Sequence, residues 1–331
     1  MTPVVDLPPS PSAYPKLPAR ALLFFIVLAV SAAAFFVLRP STPAALVQFQ
    51  VRKGISAREV ARELESQGLI RQRWSFLLWA RVCGRKAIRP GVYAISNRDS
   101  GLTIYRRFLE GPPKVRLTFP EGWTARQMAS QLETRGVCPA SDFLAIVDKE
   151  KREGFLFPDT YFFEQGLPPT TVVSRLIERF KEKAPKDFKD RAKAMNLSYG
   201  QLVTLASIVE REARAAQERP LIAGVFYNRL RKHWYLESCA TVEYALGAWR
   251  PRLTYKDLNV QSPYNTYRHA GLPPGPICNP GQAALEAAAH PEKTDMMFFV
   301  ADGRGTHRFS RYYDEHLAVQ KRGVGAHRSA P

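Results

Sequence analysis

The sequence predicts an α+β protein behind a single N-terminal transmembrane helix. Three observations carry that expectation. An uncharged stretch runs from Ala21 to Leu38, short alternating runs lie at Val47–Val51 and Val115–Phe119, and helical-period segments follow, of which Leu202–Arg214 is the clearest. The 331 residues, 45% hydrophobic and 24% charged, suit a folded chain of about two domains. Lys and Arg outnumber Asp and Glu by 48 to 30, a formal charge of +18. That excess calls for an anionic partner: nucleic acid, a membrane surface or an anionic polymer. The four cysteines rule out a disulfide-dense scaffold. No CxxC, GxxxxGKS/T, GxGxxG or HExxH string occurs, so the zinc, nucleotide and zincin readings lose their usual warrants.

Residues 1–20, rich in Pro and Ser, read as a disordered tail. Residues 21–38, flanked by Arg20 and Arg39, are just long enough to span a bilayer core. The competing reading is a cleaved signal peptide. Its leading region would be unusually long and Pro-rich, and no clear small-x-small site precedes the folded part, so an uncleaved anchor is favoured. Lys16 and Arg20 before the span nearly balance Arg39, Arg52 and Lys53 after it. The short tail and large C-terminal body favour a cytoplasmic N-terminus.

A self-comparison at a constant offset of 68 residues places Gly54–Glu59 on Gly122–Gln127, Leu64, Glu65 and Gly68 on Leu132, Glu133 and Gly136, and Tyr93 on Tyr161. Each copy reads as a strand, a helix opened by a capping box (Ser56 with Glu59, Thr124 with Gln127) and closed by Gly68 or Gly136, a second helix, a Tyr-bearing strand and a third helix. The expected domains are 39–113 and 114–322, with 114–181 repeating the preceding unit and 323–331 a disordered tail. The first copy resembles a LysM-like carbohydrate-binding unit of βααβ type. A packing module without a ligand is an equal alternative.

The segment Leu202–Arg214 ends in two glutamates two positions apart, about 200° around a helix, so they cannot face one site together. Glu210 has Arg214 at i+4, which favours its ionised form. Glu212 continues the apolar stripe, with Ile208 and Val209 before it and no cation at i±3 or i±4. Desolvation without a partner raises a carboxyl pKa, and a carboxyl still protonated near neutral pH is what a general acid requires. From this helix alone, a structural and a catalytic Glu212 stay equally open.

Further motifs follow in one order: Ser207–Glu212, Val225–Leu230, Ser262–Tyr267, Gly271–Ile277, Asn279–Gly281, Ala287–Pro291 and Phe298–Gly303, with Gly154–Tyr161 upstream. Together they resemble the YceG-like endolytic murein transglycosylases. The resemblance implies a YceG-like α+β catalytic domain, an inner-membrane single-pass enzyme with its catalytic domain in the periplasm, and cleavage inside nascent glycan strands. It places the family's catalytic glutamate on Glu212. One carboxyl then protonates the glycosidic oxygen between N-acetylmuramic acid and N-acetylglucosamine and accepts the proton of the muramyl 6-hydroxyl, leaving a 1,6-anhydro end without water. Ordinary glycosidases use two carboxylates.

The same resemblance makes Asn265, Tyr264, Tyr267, Thr266 and Glu237 candidates for contact with sugar. Asn265 would bond the sugar acetamido group and Tyr264 or Tyr267 would stack on a ring, the alternative being a loop whose Tyr rings simply pack; for Glu237 a solvated side chain is an equal alternative. Asn279 and Pro280 read as N-cap and first residue of a helix, and His307 as a hairpin surface residue. Cys239-Ala240 stands where many relatives carry Asp-Pro, so any role of that Asp does not transfer. Cys239 and Cys278 both replace usual residues at what the resemblance makes the cleft wall, and this paired replacement implies a disulfide. It would close a loop of about 40 residues, worth roughly 4 kcal/mol in the chain-entropy model; two free thiols are the alternative. No metal or cofactor is expected. The expected partners are peptidoglycan glycan strands and the cytoplasmic membrane, with peptidoglycan synthases as further candidates. The basic residues are spread along the chain, so nucleic acid is not expected. Two other classes are the alternatives: a non-enzymatic membrane-anchored glycan-binding protein, and a pyridoxal-phosphate lyase, for which no Schiff-base lysine lies in the core motifs.

Overall fold

The computed structural model describes Leu46 to Ala326 except Arg85, Trp249, Pro251 and Arg252, together with Phe24, Val27, Leu28, Val30 and Ser31. The expected tail 1–20, most of the expected span 21–38, and residues 327–331 lie outside the described residues. Among the described residues no helix is long and apolar enough to cross a membrane. The chain divides between Pro112 and Pro113 into two compact units.

In the first unit β1 (Leu46–Val51), α1 (Ala57–Ser66), α2 (Arg73–Val82), β2 (Gly91–Ser96) and α3 (Gly101–Glu110) follow in order. The strands are antiparallel, with Val47 opposite Ile95. Alternation turns Phe49, Val51, Tyr93 and Ile95 inward onto Val60, Leu64, Phe76 and Phe108. Helix α1 opens on a complete Ser56–Glu59 capping box. It closes at Gly68 (φ 68°), where Leu69 N–H bonds the Leu64 carbonyl at 2.9 Å and Gly68 N–H bonds that of Glu65 at 3.0 Å. That is a Schellman stop, which needs a left-handed residue and so favours glycine.

The second unit begins with the same course 68 residues on. Strand β3 (Lys114–Thr118), α4 (Ala125–Thr134), α5 (Ala140–Glu150), β4 (Thr160–Glu164) and α6 (Pro169–Lys183) follow. Val115 stands opposite Phe163, the same register as Val47 and Ile95. Thr124 and Gln127 form the second capping box, and Gly136 (φ 67°) the second Schellman stop. Tyr93 donates to the Arg89 carbonyl and Tyr161 to that of Phe157, each at 2.7 Å. The copies diverge at the third helix: α6 has 15 residues against 10 in α3.

The rest of this unit is mostly helical: α7 (Phe188–Ala194), α8 (Tyr199–Glu212), a 3-10 turn (Ala216–Glu218), α9 (Arg219–Arg231), α10 (Cys239–Leu246), α11 (Tyr255–Leu258) and α12 (Gln282–Ala289). The hairpin β5 (Phe298–Ala301) and β6 (His307–Ser310) precedes α13 (Tyr313–Ala326). Helix α8 is the centre, with α7, α9, α10 and α12 packed on it. Two expectations need correction. The N-cap of α12 is Gly281, because Asn279 is drawn into the core. The tail expected from residue 323 is helical through Ala326.

Candidate active site

Helix α8 starts on a Ser198–Gln201 capping box and is buried from Leu202 to Val209. Its polar members are satisfied locally. Thr204 Oγ1 donates to the Gly200 carbonyl at 2.9 Å and Ser207 Oγ to that of Thr204 at 2.7 Å, while Ser207 Oγ accepts Ile277 N–H at 3.0 Å. The backbone turns extended at Ala213 (ψ 113°), so the two glutamates form the helix's last turn.

They part as their spacing requires. Glu210 accepts Gly281 N–H at 2.9 Å and lies 3.4 Å from Arg219, with both side chains largely buried. Its partner is therefore Arg219 of α9 and not Arg214, which falls beyond the helix end. Glu212 Oε1 accepts Ser238 Oγ at 2.5 Å and Ala240 N–H at 3.4 Å. The residue keeps some exposure, yet protein surrounds its carboxyl. That desolvation raises its pKa, against the Ser238 and Ala240 bonds and the charge of His307, which pull down, while Glu243 pushes up.

Ser238 is the N-cap residue of α10 but gives its own helix no side-chain bond. Its hydroxyl goes to Glu212 instead. The residue is held in turn: Ser238 N–H donates to Thr266 Oγ1 at 3.0 Å, Glu237 N–H to the Thr266 carbonyl at 3.2 Å, and Thr241 Oγ1 to the Ser238 carbonyl at 2.7 Å. A serine ahead of an apolar helical run signals a cap; that it serves a carboxyl 26 positions away is invisible locally.

The expected sugar-contact residues separate. Tyr267 lies at the acid: its hydroxyl is 3.3 Å from Cys239 Sγ, and burial, Cys239 and the charge of Glu212 push its pKa up. Asn265 is fully buried, its Nδ2 donating to the carbonyls of Leu258 and Val260 at 2.9 Å and its Oδ1 accepting Tyr267 N–H at 3.0 Å. Its amide is spent on the loop, so the expected acetamido contact is withdrawn. Thr266 is equally buried and orders the Ser238 segment. Glu237 is half-exposed, drawn to Arg229 at 3.2 Å. Tyr264 rests on Tyr244 with ring centroids 4.8 Å apart.

The expected disulfide is not formed: Cys239 and Cys278 are both free. Cys239 is exposed at the start of α10, whereas Cys278 is buried against the back of α8, its thiol donating to the Ser207 carbonyl at 3.3 Å. Among the described residues no three His, Cys, Asp or Glu side chains are grouped to hold a metal ion.

A second unusual carboxyl lies beside Asn279, next to Cys278 in sequence. Glu153 Oε1 accepts Asn279 Nδ2 at 2.8 Å, and both its oxygens lie 3.1 Å from Ala125 N. Burial pushes its pKa from 4.5 up to about 7, against those bonds. A carboxyl raised by folding favours the native state while protonated, and stability falls as pH climbs from about 4.5 to 7. Glu153→Gln removes that loss. Its stability relative to the parent, read from urea melts at pH 5 and 8, is expected to rise by up to about 3 kcal/mol between them. A constant difference would contradict this.

The fold thus presents a desolvated carboxyl braced by the Ser238 hydroxyl, with Tyr267 close by at Cys239, the equipment of an acid catalyst acting on a polar substrate. Residues 49–322 match the YceG-like family, and the chain belongs to that family. An endolytic murein transglycosylase of Bacillus subtilis (strain 168) is 29% identical over 310 residues, 85% of each chain. One from Streptococcus pneumoniae (strain D39) is 28% identical over 295 residues, 76% of this chain and 53% of that one. The crystal structure of a putative YceG-like protein from Listeria monocytogenes shares 29% identity at a TM-score of 0.56, covering 82% of this chain and 98% of that one.

Proposed function

We propose that this chain is an endolytic lytic transglycosylase of peptidoglycan, with Glu212 as the acid. The observation that carries the reading is the Glu212 carboxyl, whose pKa desolvation raises while Ser238 and Ala240 occupy only Oε1. That leaves Oε2 to carry the proton. Protonation of the oxygen linking N-acetylmuramic acid to N-acetylglucosamine breaks the bond to C1. The carboxylate left behind is met by the Ser238 hydroxyl and the first turn of α10, which favours negative charge. The muramyl 6-hydroxyl then closes on C1, and its proton restores the acid. The Tyr267 hydroxyl beside Cys239 supports this ring as the one that meets the sugar.

Ser238→Ala removes a bond that lowers the Glu212 pKa. The acid then stays protonated to higher pH. The alkaline limb of the rate profile is expected to move up, while kcat falls roughly 10- to 100-fold because the carboxylate loses a donor worth about 1.5–3 kcal/mol. An unmoved limb would sink the assignment.

The same reading includes a single-pass anchor at 21–38, a cytoplasmic N-terminus and a periplasmic catalytic unit. Its support is the uncharged run Ala21–Leu38 between Arg20 and Arg39. The strand–helix–helix–strand order of β1, α1, α2 and β2 supports a LysM-like first unit. The glycan and membrane account for the positive charge, and synthases remain partners to be sought. A phosphatase reporter fused after Arg322 tests the topology: activity is expected only if the C-terminus is exported. Mass spectrometry of digested sacculi tests the activity. New 1,6-anhydro ends are expected; sacculi bound but uncut would favour the non-enzymatic glycan-binding protein.

A further inference from the structure

Helix α2 turns Phe76 and Ala80 into the core of the first unit, and its opposite face carries Trp74, Leu78 and Val82. These three stand at i, i+4 and i+8 and are 50%, 49% and 65% exposed, an apolar stripe laid open to solvent. Contiguous exposed apolar surface of this kind marks an interaction face. The charge around it has one sign. Residues 71–89 hold six cations and no acid, with Arg71 and Arg73 exposed where the helix begins and Arg81 exposed one turn from Leu78.

The repeat supplies an internal comparison. Glu65 Oε1 accepts Arg73 N–H at 2.9 Å and Glu133 Oε1 accepts Ala140 N–H at 3.1 Å, so α2 and α5 start alike. Counted from those starts, Phe143 and Val147 take the buried places of Phe76 and Ala80. Ser141, Ala145 and Lys149 take the exposed places of Trp74, Leu78 and Val82, and Asp148 stands in that of Arg81. The second copy thus builds the same unit with a polar face, and packing within the unit does not call for the apolar one. The two copies differ in their place along the chain. Only residues 39–45 separate the uncharged run Ala21–Leu38 from β1. Fully extended, such a link reaches no further than about 25 Å.

We propose that this face of α2 docks the first unit onto the bilayer that holds residues 21–38, and that its occupant is an anionic lipid surface. The inference rests on the anchor reading. Trp74 offers an apolar ring and a polar N–H, the pairing that suits the headgroup level. Leu78 and Val82 enter the acyl boundary beside it, and the arginines meet lipid phosphates. A stripe of three side chains is weak alone. The short tether keeps it at high effective concentration over the lipid, so weak contact suffices.

Tryptophan emission tests this, because the run Ala21–Leu38 holds no tryptophan and insertion of the anchor brings none into lipid. The full chain is reconstituted into vesicles of phosphatidylcholine and phosphatidylglycerol in equal parts, with and without bromine on the upper acyl chains. Brominated lipid is expected to quench part of the parent's emission, and Trp74→Phe to lose the larger part of that quenching. The triple variant Trp74→Ser, Leu78→Ala, Val82→Lys copies the face of α5; it should melt with the parent and lose the quenching too. Unquenched parent emission, or equal quenching in Trp74→Phe, would overturn the inference. Emission that answers to added sacculi instead would give the face to glycan. Quenching should weaken in phosphatidylcholine alone, and unchanged quenching there would overturn the choice of anionic lipid. Alkaline carbonate extraction reads the anchor separately. A chain that is quenched yet washes off upholds the face and overturns the anchor reading; one that stays with the vesicles unquenched does the reverse.

Discussion

Glu212→Gln is expected to lose at least roughly 10³-fold in anhydro-end formation while melting at or above the parent temperature. Glutamine is isosteric and still accepts the Ser238 hydroxyl and Ala240 N–H, so the wall around it keeps its bonds. It cannot release a proton. Removing an acid whose ionised form is desolvated costs the fold nothing, and functional sites commonly trade stability for activity. Glu210→Gln, two residues earlier, should do the reverse. It weakens the bond to Gly281 N–H and the largely buried pair with Arg219, costing about 1–3 kcal/mol, with most activity retained. Paired chemical melts and rates on the two variants check both halves. An inactive Glu210→Gln beside an active Glu212→Gln would reverse the assignment.

The largest loss of stability is expected from Asn279→Ala, about 3 kcal/mol or more. Asn279 Oδ1 accepts Leu156 N–H at 2.9 Å, and its Nδ2 donates to the Trp123 carbonyl at 3.0 Å and to Glu153 at 2.8 Å. Its backbone is paired too, N–H to the Trp123 carbonyl at 2.8 Å and carbonyl from Gly122 N–H at 3.0 Å. One amide thus ties the repeated unit to the segment that leads into α12 and caps Glu210. Truncation leaves the Leu156 N–H without its acceptor and takes one donor each from the Trp123 carbonyl and the Glu153 carboxyl. Urea denaturation measures it, and a change below about 1 kcal/mol would contradict the account.

These residues mark where local reading succeeds. The repeat was legible because capping boxes, Schellman glycines and strand alternation are set within a few positions, and the same offset recurs in the register of both hairpins. The divergence of Glu210 and Glu212 was legible because helical geometry fixes it, as was the direction of the Glu212 shift. Partners across the chain were not. Asn279 looked like a cap because Asn-Pro before an Ala-rich helix is a cap signal; its real partners lie more than 120 residues away. Asn265 looked free for sugar in a polar loop, but that loop folds over its side chain. Cys239 and Cys278 looked paired only by their oddity, and α8 keeps Cys278 on its far side, against Ser207. His307, read as a surface residue, has its side chain turned in against Glu218, which reaches it from the turn before α9.

Digestion of sacculi in ¹⁸O-labelled water tests the central claim most directly, that a lone acid cleaves the glycan by internal transfer to O6. Mass spectrometry should find muramyl products that are 1,6-anhydro and carry no label, formed by the parent protein and not by Glu212→Gln. Reducing muramyl ends bearing one ¹⁸O would show hydrolysis by water and contradict it.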